Sequence, residues 1–340
     1  MESGERILSE TLIVVLGKAL NQEIIDASFE TEQLKGGTVG EVTLVSGVAI
    51  TIDGKRLPYK VVYKKQKKWE RYFDPDSWRR EYDLYAANLD PIFSESFSWP
   101  KCYYAELLED ETHIWMEYIE GISGLKLNSA MYEQVAEELG RFQGGIYTRM
   151  PKELDSLTNL SRKENSKNYY MHYRSWNEVY DYIRAEDCEI PKHLCKMLID
   201  VDENADQIWA CIEQLPVVFC HRDFWVENIF YTDQKVLLID WDTAGWGYLG
   251  EDIASLIADE GDVAHMIENY EKSVSAYYRG FSNYVDVSHI KRPYIKEMIL
   301  FTFGYRLVEG IKFAKTLEEK TLQIAILDKI YEMEEINFHN

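Results

Sequence analysis

Residues 221–228 read HRDFWVEN, and residues 239–242 read IDWD. This region contains an Asp at position 223, an Asn five residues later at 228, and another Asp at 240. The last of these stands at the end of an apolar run. Three polar side chains thus lie close to one short apolar segment, and a turn in that segment could bring them together.

The segment between Asn228 and Asp240 has the pattern of a β-hairpin. Residues 229–231 and 236–239 are apolar, and the polar residues 232–235 between them suit a tight turn. Folding the chain at this turn places Asn228 and Asp240 at the same open end of the hairpin. Two oxygen ligands would then meet at a place that suits a hard cation.

This layout is what phosphoryl transfer from a nucleotide requires. One carboxylate accepts a hydroxyl proton, while an Asn and a second carboxylate hold Mg²⁺. A metallohydrolase built on His221 and Asp223 is the rival interpretation. It would need further His ligands at metal-binding spacing, and the seven His of the chain are scattered singly. We expect His221 to be structural in either case.

The segments around Asp223 and Asp240 resemble those of the aminoglycoside phosphotransferase and choline kinase family. That family shares the two-lobed protein-kinase-like fold, so the resemblance implies an α+β protein with a β-rich N-lobe and a mainly α-helical C-lobe. It also implies that Asp223 is the catalytic base and that Asn228 and Asp240 are the Mg²⁺ ligands. One departure is Arg222, where aminoglycoside kinases more often carry Gly. The triplet His-Arg-Asp is that of eukaryotic-type protein kinases, so it does not decide the substrate class.

A kinase of this type begins with a glycine-rich turn between two strands. Gly36, Gly37 and Thr38 lie between two segments with strand character, residues 28–34 and 42–45. Glycines at such a turn would allow backbone N–H groups to approach the phosphates of a nucleotide. We therefore predict that these three residues contact the nucleotide.

The next part needed is a Lys on a strand that pairs with a Glu on the following helix. Residues 59–64 alternate as a strand and resemble the V-A-I-K element, which makes Lys64 the expected phosphate-binding residue. Lys65 is the alternative, because the pattern alone does not decide which Lys faces the nucleotide. Residues 75–89 have helical periodicity, and Glu81 within them is expected to form a salt bridge with Lys64.

The nucleotide is expected to lie against a hinge between the lobes. Residues 117–121 follow a predicted strand pair and resemble the family's hinge, so the backbone groups of Glu117 and Ile119 are expected to contact adenine. We accordingly place the nucleotide-binding N-lobe at residues 1–118. The C-lobe, at residues 119–340, contains the hinge, the catalytic loop, the metal site and a helical region that binds the acceptor.

The interval after Asp240 separates two substrate classes. Protein kinases have a long activation segment there, whereas only residues 241–250 precede the next helical stretch in this chain. This favours a small-molecule acceptor over a peptide. Asp252, in that helical stretch, is expected to brace the catalytic loop rather than to react.

The net charge of −22 disfavours nucleic acid as a partner, since the phosphates would be repelled. Acidic and aromatic side chains lie close in sequence to the predicted site. They are Glu227, Asp242, Glu251, Asp259, Glu260 and Asp262, with Trp225, Trp241, Trp246 and Tyr248. Carboxylates and aromatic faces attract amines, so this group predicts a cationic acceptor. The alternative is that the charge belongs to the general surface, and Asp242 could instead touch the metal.

The five Cys are odd in number and lack C-x-x-C spacing, which predicts free thiols in a reducing cytoplasm. The early apolar stretch at residues 12–16 is too short to span a bilayer, so we expect no membrane association. No segment suggests an obligate protein partner.

Together these features predict a kinase that uses ATP and Mg²⁺ to phosphorylate a hydroxyl of an aminated small molecule, such as an aminoglycoside or an amino alcohol. Two alternatives remain, a catalytically silent nucleotide-binding protein and a protein kinase. The sequence does not distinguish ATP from GTP, and it does not give the oligomeric state.

Overall fold

A computed structural model of the protein describes residues 2–34, 40–174, 177–258 and 263–336. The elements of the N-terminal region are helices α1 (Glu2–Leu20) and α2 (Ser77–Ala86) and strands β1 (Ile24–Gln33), β2 (Gly40–Thr51), β3 (Arg56–Lys67), β4 (Phe97–Ser98), β5 (Cys102–Leu107) and β6 (Glu111–Glu117). Five of these strands form an antiparallel sheet with the order β1-β2-β3-β6-β5. The predicted glycine turn at Gly36, Gly37 and Thr38 lies outside the described residues.

The two faces of this sheet pack against different helices. Side chains alternate along a strand, so Val61 belongs to the apolar cluster under α1 whereas its neighbour Val62 belongs to the larger core that includes α2. On β6, Trp115 and Met116 divide in the same way. Helix α2 shares this larger core with the sheet and with the C-terminal region, so it lies between the two.

The C-terminal region is mainly helical. Its helices are α3 (Ser129–Arg149), α4 (Lys152–Asp155), α5 (Asn165–Arg174), α6 (Asn177–Arg184), α7 (Lys192–Glu203), α8 (Ala205–Ile212), α9 (Glu251–Ile257), α10 (Met266–Ser282), α11 (Ile295–Ile299), α12 (Tyr305–Lys312) and α13 (Leu317–Glu332), with a π-helical turn at Leu300–Gly304. Four short strands complete it: β7 (Val217–Cys220), β8 (Ile229–Thr232), β9 (Lys235–Leu238) and β10 (Gly245–Tyr248). The predicted two-lobed protein-kinase-like α+β fold is confirmed.

Strands β8 and β9 form the predicted hairpin, and β9 also pairs in parallel with β4. Strand β7, which leads into the predicted catalytic loop (residues 221–228), pairs with β10. The loop therefore has a strand before it and a hairpin after it, and both are fixed by pairing to other segments.

Two helical segments differ from what their sequences predict. The polar, Pro-, Ser- and Asn-containing composition of residues 152–168 predicts a loop, but these residues contain α4 and the start of α5. The spacing of Tyr173, Tyr180 and Ile183 predicts one helix, yet they belong to two, α5 and α6, and Trp176, which continues the spacing, lies outside the described residues. Helices this short contain too few residues for an apolar period to identify them or their ends.

Helix α3 packs on α10 at a close approach, and it also carries a buried apolar stripe. Its members are Tyr132, Val135, Leu139, Phe142 and Ile146. A Cβ atom at Gly140 would lie 2.1 Å from the backbone oxygen of Tyr277, and one at Gly280 would lie 2.1 Å from that of Glu137. The two helices can approach this closely only because both positions are glycine.

We expect Gly280→Ala to lower the free energy of unfolding by roughly 1–3 kcal/mol, because the added methyl group meets rigid backbone. Gly17→Ala is the matched control. Gly17 lies in α1, where the nearest atom to an added Cβ is a backbone oxygen at 3.5 Å, so this helix-favouring change should be neutral or slightly stabilising. Denaturant unfolding measures both variants, and equal effects would contradict the close approach.

Candidate active site

The ammonium of Lys64 lies at the centre of the site. Its Nζ is 2.6 Å from Oε2 of Glu81 and 2.6 Å from Oδ1 of Asp240. Lys64 is 9% exposed and Glu81 is 3% exposed. The predicted salt bridge is therefore present and buried, and it joins strand β3 to helix α2 and to the segment after β9.

These contacts determine the charge states of Lys64 and Asp240. Burial alone disfavours the charged ammonium, but the carboxylates of Asp240 and Glu81 outweigh it and raise the pKa of Lys64. For Asp240, burial favours the neutral acid, yet the charge of Lys64 and its hydrogen bond prevail and lower the pKa. Both groups are thus held in their charged forms.

The structure also shows which of Lys64 and Lys65 faces the predicted site. Successive residues of a strand point to opposite faces, and the Nζ of Lys65 pairs with Glu111 at 2.9 Å instead. Of the two candidates, only Lys64 joins the group of predicted site residues.

Asp223 and Asn228 are joined within the catalytic loop. The Nδ2 of Asn228 donates to the Oδ2 and to the backbone oxygen of Asp223, both at 2.9 Å. Burial, followed by the negative charge of Asp240, raises the pKa of Asp223. A raised pKa brings a carboxylate closer to the range in which it exchanges protons with a substrate.

The loop backbone is held by a buried carboxylate. Asp252, on α9, accepts hydrogen bonds from the backbone N–H groups of His221 at 2.9 Å and Arg222 at 2.8 Å. It also accepts one from Nε2 of Gln143 on α3 at 2.9 Å. The prediction that Asp252 braces the catalytic loop is confirmed. Arg222 has a φ of 67°, a left-handed conformation that costs energy for residues with a side chain, and the Asp252 contacts stabilise it.

His221 has a structural position, as predicted. Its Nε2 lies 2.9 Å from the backbone oxygen of Ile239, which ties the start of the catalytic loop to the end of β9. Burial lowers the pKa of His221 to about 4, so the imidazole is neutral at pH 7 and acts here as a hydrogen-bond donor. The loop and the hairpin are thereby fixed relative to each other.

The open end of the hairpin fits a hard cation. The backbone N–H of Ile239 donates to the backbone oxygen of Asn228 at 3.1 Å, so Asn228 and the adjoining Asp240 lie at the same end, as predicted. The Nδ2 of Asn228 is used by Asp223, which leaves its Oδ1 as an oxygen ligand. The Asp240 carboxylate, with one oxygen on Lys64, offers the other. An amide oxygen and a carboxylate are ligands that Mg²⁺ accepts.

Asp242 is buried beside this end, with its Oδ2 3.3 Å from the guanidinium of Arg71. Burial and then the charge of Asp240 raise its pKa to about 6. Whether Asp242 touches a metal stays a prediction. Among the described residues, no group of three or more His, Cys, Asp and Glu side chains is arranged to hold a metal ion.

Arg80 was not identified from the sequence. It is 1% exposed, and its Nη1 donates to Asp74 at 2.8 Å and to the backbone oxygen of Asp242 at 2.7 Å. Its Nε donates to the backbone oxygen of Asn159 at 2.7 Å. This side chain fixes α2, and with it Glu81, to the segment after Asp240. Its only signal in the sequence is a charged residue beside Glu81, which is not specific.

The predicted hinge leaves strand β6 where expected. Glu117 is held to Lys101 through its backbone and its side chain. Its backbone N–H donates to the backbone oxygen of Lys101 at 2.9 Å, and its carboxylate accepts from the backbone N–H of Lys101 at 3.2 Å. Neither backbone group of Ile119 is hydrogen-bonded to another backbone group within the described ranges. Contact of these residues with adenine remains a prediction.

A cleft of about 680 Å³ opens beside Asp223. Many of its lining side chains are aromatic: Trp69, Tyr169, Tyr170, Tyr173, Trp209, Trp225, Phe301 and Phe303. This cleft, bordered by the predicted base, has the size of a small-molecule site.

The prediction of a cationic acceptor rested on acidic residues near the site. The carboxylates of the described ones do not face the cleft without internal partners. Asp242 pairs with Arg71, and Glu251 accepts from Ser166 at 2.7 Å and from the Tyr248 N–H at 2.8 Å. Glu227 does not line the cleft. Sequence proximity does not show which way a side chain points, so these three residues give the cationic acceptor little support, and the charge of the acceptor stays a prediction. Asp259, Glu260 and Asp262 lie outside the described residues.

We expect Lys64→Met to raise the KM for nucleotide and to lower the free energy of unfolding by about 3–5 kcal/mol, because it leaves buried carboxylates without their partner. Lys65→Met is the control, since its more exposed pair should contribute no more than about 1 kcal/mol. Denaturant unfolding and nucleotide titration measure both variants. Equal effects would contradict the central position of Lys64.

Comparison with solved structures finds the same fold in several kinases. An amicoumacin kinase, hAmiN, in complex with AMP-PNP, Ca²⁺ and Ami, has a TM-score of 0.55 at 12% identity, covering 89% of this chain and 90% of that one. A choline kinase from Cryptosporidium parvum Iowa II has a TM-score of 0.52 at 16% identity, covering 89% of each chain. The GDP complex of aminoglycoside 2'-phosphotransferase-IIIa has a TM-score of 0.55 at 12% identity, covering 94% of this chain and 97% of that one.

At the level of sequence, no curated protein matches the chain. The family model of the phosphotransferase enzyme family (APH) does match, over residues 73–282. The match includes helix α2, the hinge, the catalytic loop and the hairpin with Asp240. It covers more than half of the 340 residues, and the chain therefore belongs to the phosphotransferase enzyme family.

Proposed function

We propose that this protein is a small-molecule kinase that transfers the γ-phosphate of ATP to a hydroxyl group. The observation that carries the proposal is the convergence of Glu81 and Asp240 on the buried ammonium of Lys64, together with Asp223, which is hydrogen-bonded to Asn228 and lines a cleft. Phosphoryl transfer depends mainly on positioning and on charge stabilisation. These residues supply both.

In the proposed reaction, Asp223 accepts the proton of the acceptor hydroxyl. The oxygen forms a bond to the γ-phosphorus as the bond to the leaving oxygen of ADP breaks. Lys64, held by Glu81, neutralises charge on the phosphates. Asn228 and Asp240 are the residues that would hold Mg²⁺, which supplies charge neutralisation between the phosphates when bound.

A small-molecule acceptor is supported by the segment that follows Asp240. The chain passes through the short strand β10, which pairs with β7, and enters α9 at Glu251. This compact connection offers no long platform on which a peptide could dock. A catalytically silent nucleotide-binding protein is the remaining alternative, and the complete set of predicted reactive side chains disfavours it.

The identity of the nucleotide rests on the hinge. We propose that the backbone groups of Glu117 and Ile119 meet adenine, and that residues 36–38 approach the phosphates. Among the structural neighbours, one was solved with AMP-PNP and another with GDP, so KM values for ATP and GTP have to be compared directly. We propose the boundary between the lobes at residues 118 and 119, where β6 has just ended.

We propose a cytoplasmic location, which is supported by five Cys that are all free thiols. Cys188 and Cys195 illustrate this, since their sulfur atoms are 3.7 Å apart without being bonded. In the described part of the chain, no helix combines the length and the apolar character needed to cross a membrane.

An aminated acceptor, such as an aminoglycoside or an amino alcohol, was predicted from the acidic residues near the site. That support is reduced, because Asp242 and Glu251 are occupied by internal partners. The proposed function therefore requires only a hydroxyl. A screen of ADP release against hydroxylated amines, sugars and acids tests it, and no turnover with any class would count against it.

We expect Asp223→Asn to lower kcat by roughly 10²–10⁴-fold, the range for loss of a general base. Asn keeps the size of the side chain but cannot take the proton, so the Kd for nucleotide should change little. Asp233→Asn, an exposed turn residue of the hairpin, is the matched control and should retain full activity. An unchanged kcat in Asp223→Asn would refute the assignment of the base.

Asp240→Asn tests the metal ligand. It removes an anionic oxygen that a hard cation requires, so phosphoryl transfer at saturating ATP and Mg²⁺ should fall by at least about 10²-fold. Circular dichroism should establish that the variant is folded. Turnover near the wild-type rate with the same Mg²⁺ dependence would show that Asp240 is not a ligand.

A further inference from the structure

The cleft beside Asp223 is assembled from separate parts of the chain. Its wall includes the segment after β3, helix α5, the π-helical turn at Leu300–Gly304 and the start of α12. The π-helical turn contributes Phe301 and Phe303, and α12 contributes Arg306. Turns of this kind are uncommon and often occur at functional sites. The charged side chains of this wall restrict which acceptor can bind.

Three carboxylates line the described part of the cleft, and only one is available to a ligand. Asp74 pairs with Arg80 behind the wall. Glu251 accepts hydrogen bonds from Ser166 and Tyr248, and it lies 3.6 Å from the guanidinium of Arg222. Asp223 remains, and the proposed reaction requires it to take a proton.

Two of the three lining arginines are also occupied. Arg71 pairs with Asp242 at 3.3 Å and lies against the ring of Trp69. Arg222 donates to the backbone oxygen of Trp246 at 2.7 Å and to Ser166 at 2.6 Å. Both guanidinium groups are therefore occupied by partners within the protein.

Arg306 is the exception. Among the described residues no carboxylate lies within ion-pair distance of it, and its solvent-exposed guanidinium lies 5.7 Å from the centroid of the Phe303 ring. Arg306 and Asp223 both line this cleft, so a ligand bound there can face both side chains. In a chain of net charge −22, a cation without a carboxylate partner at this position is not explained by overall charge balance.

We infer that the acceptor is a hydroxy acid whose carboxylate binds Arg306, whose apolar ring packs among the aromatic side chains, and whose hydroxyl faces Asp223. This inference rests on the proposed function. A guanidinium matches the two oxygens and the single charge of a carboxylate. A phosphate dianion would require further cations, and Arg71 and Arg222 are already paired.

A cationic acceptor fits the same cleft less well. It would meet the positive charge of Arg306, and among the described lining residues it would find only the carboxylate of Asp223 without a cationic partner. Attraction to Asp223 would oppose the role of that residue as a base. The lining therefore favours an anionic acceptor over the aminated one predicted from the sequence.

Three probes that share a benzyl ring and a hydroxyl test the inference: 3-phenyllactate, its neutral amide, and the cation phenylalaninol. Titration calorimetry with the full chain, without nucleotide, should give a Kd for the anion at least about 10-fold lower than for the other two, the size of one charge-assisted contact. Arg306→Gln should remove this preference, and Arg306→Lys should retain part of it. Binding of the amide should be the same in all three proteins.

Arg56→Gln is the matched control. Arg56 is exposed on β3 and does not line the cleft, so its loss changes the net charge equally and should leave the preference intact. The inference is overturned by equal binding of the three probes, by no binding of any probe at millimolar concentration, or by an equal loss in Arg56→Gln. Binding of ATP with Mg²⁺ is measured on the same preparations. Its failure in the wild type would overturn the proposed function, whereas its success without anion preference would overturn only this inference.

Discussion

The arrangement of the site depends on one buried ammonium group. Lys64 comes from the N-terminal sheet, Glu81 from helix α2, and Asp240 from the end of the β8–β9 hairpin, and the three are joined by contacts of 2.6 Å. A buried charge without a partner is costly. The sheet, the helix and the C-terminal region are therefore restricted to positions in which these groups meet, and the nucleotide phosphates are expected to bind at this meeting point.

Other buried polar groups extend this restriction to the acceptor side. Arg80 fixes α2 to the backbone after Asp240, and Asp252 holds the backbone of the catalytic loop. His221 links that loop to the hairpin. Each contact joins a side chain to backbone atoms, so Asp223 and Asn228 are positioned by the surrounding scaffold. A reaction that depends on alignment benefits from such rigidity.

The sequence predicted the parts of the site that lie in compact motifs. Asp223, Asn228 and Asp240 are close along the chain, and the hairpin between them has a clear pattern of apolar strands and polar turn. Lys64 and Glu81 followed from the order of elements. Arg80 could not be predicted, because its contacts involve segments that only folding brings together. For the same reason, Asp242 and Glu251 were interpreted as part of a binding surface although their side chains have internal partners.

We propose that Asn228, Asp240 and Lys64 form one site for a nucleotide and its metal. A crystal structure of the protein with AMP-PNP and Mn²⁺, in which the metal is located by its anomalous scattering, tests this proposal. We expect an anomalous peak in contact with the side chains of Asn228 and Asp240, with Lys64 on the phosphates and Asp223 facing the γ-phosphate. A nucleotide bound elsewhere, or a metal ion that touches neither Asn228 nor Asp240, would contradict it.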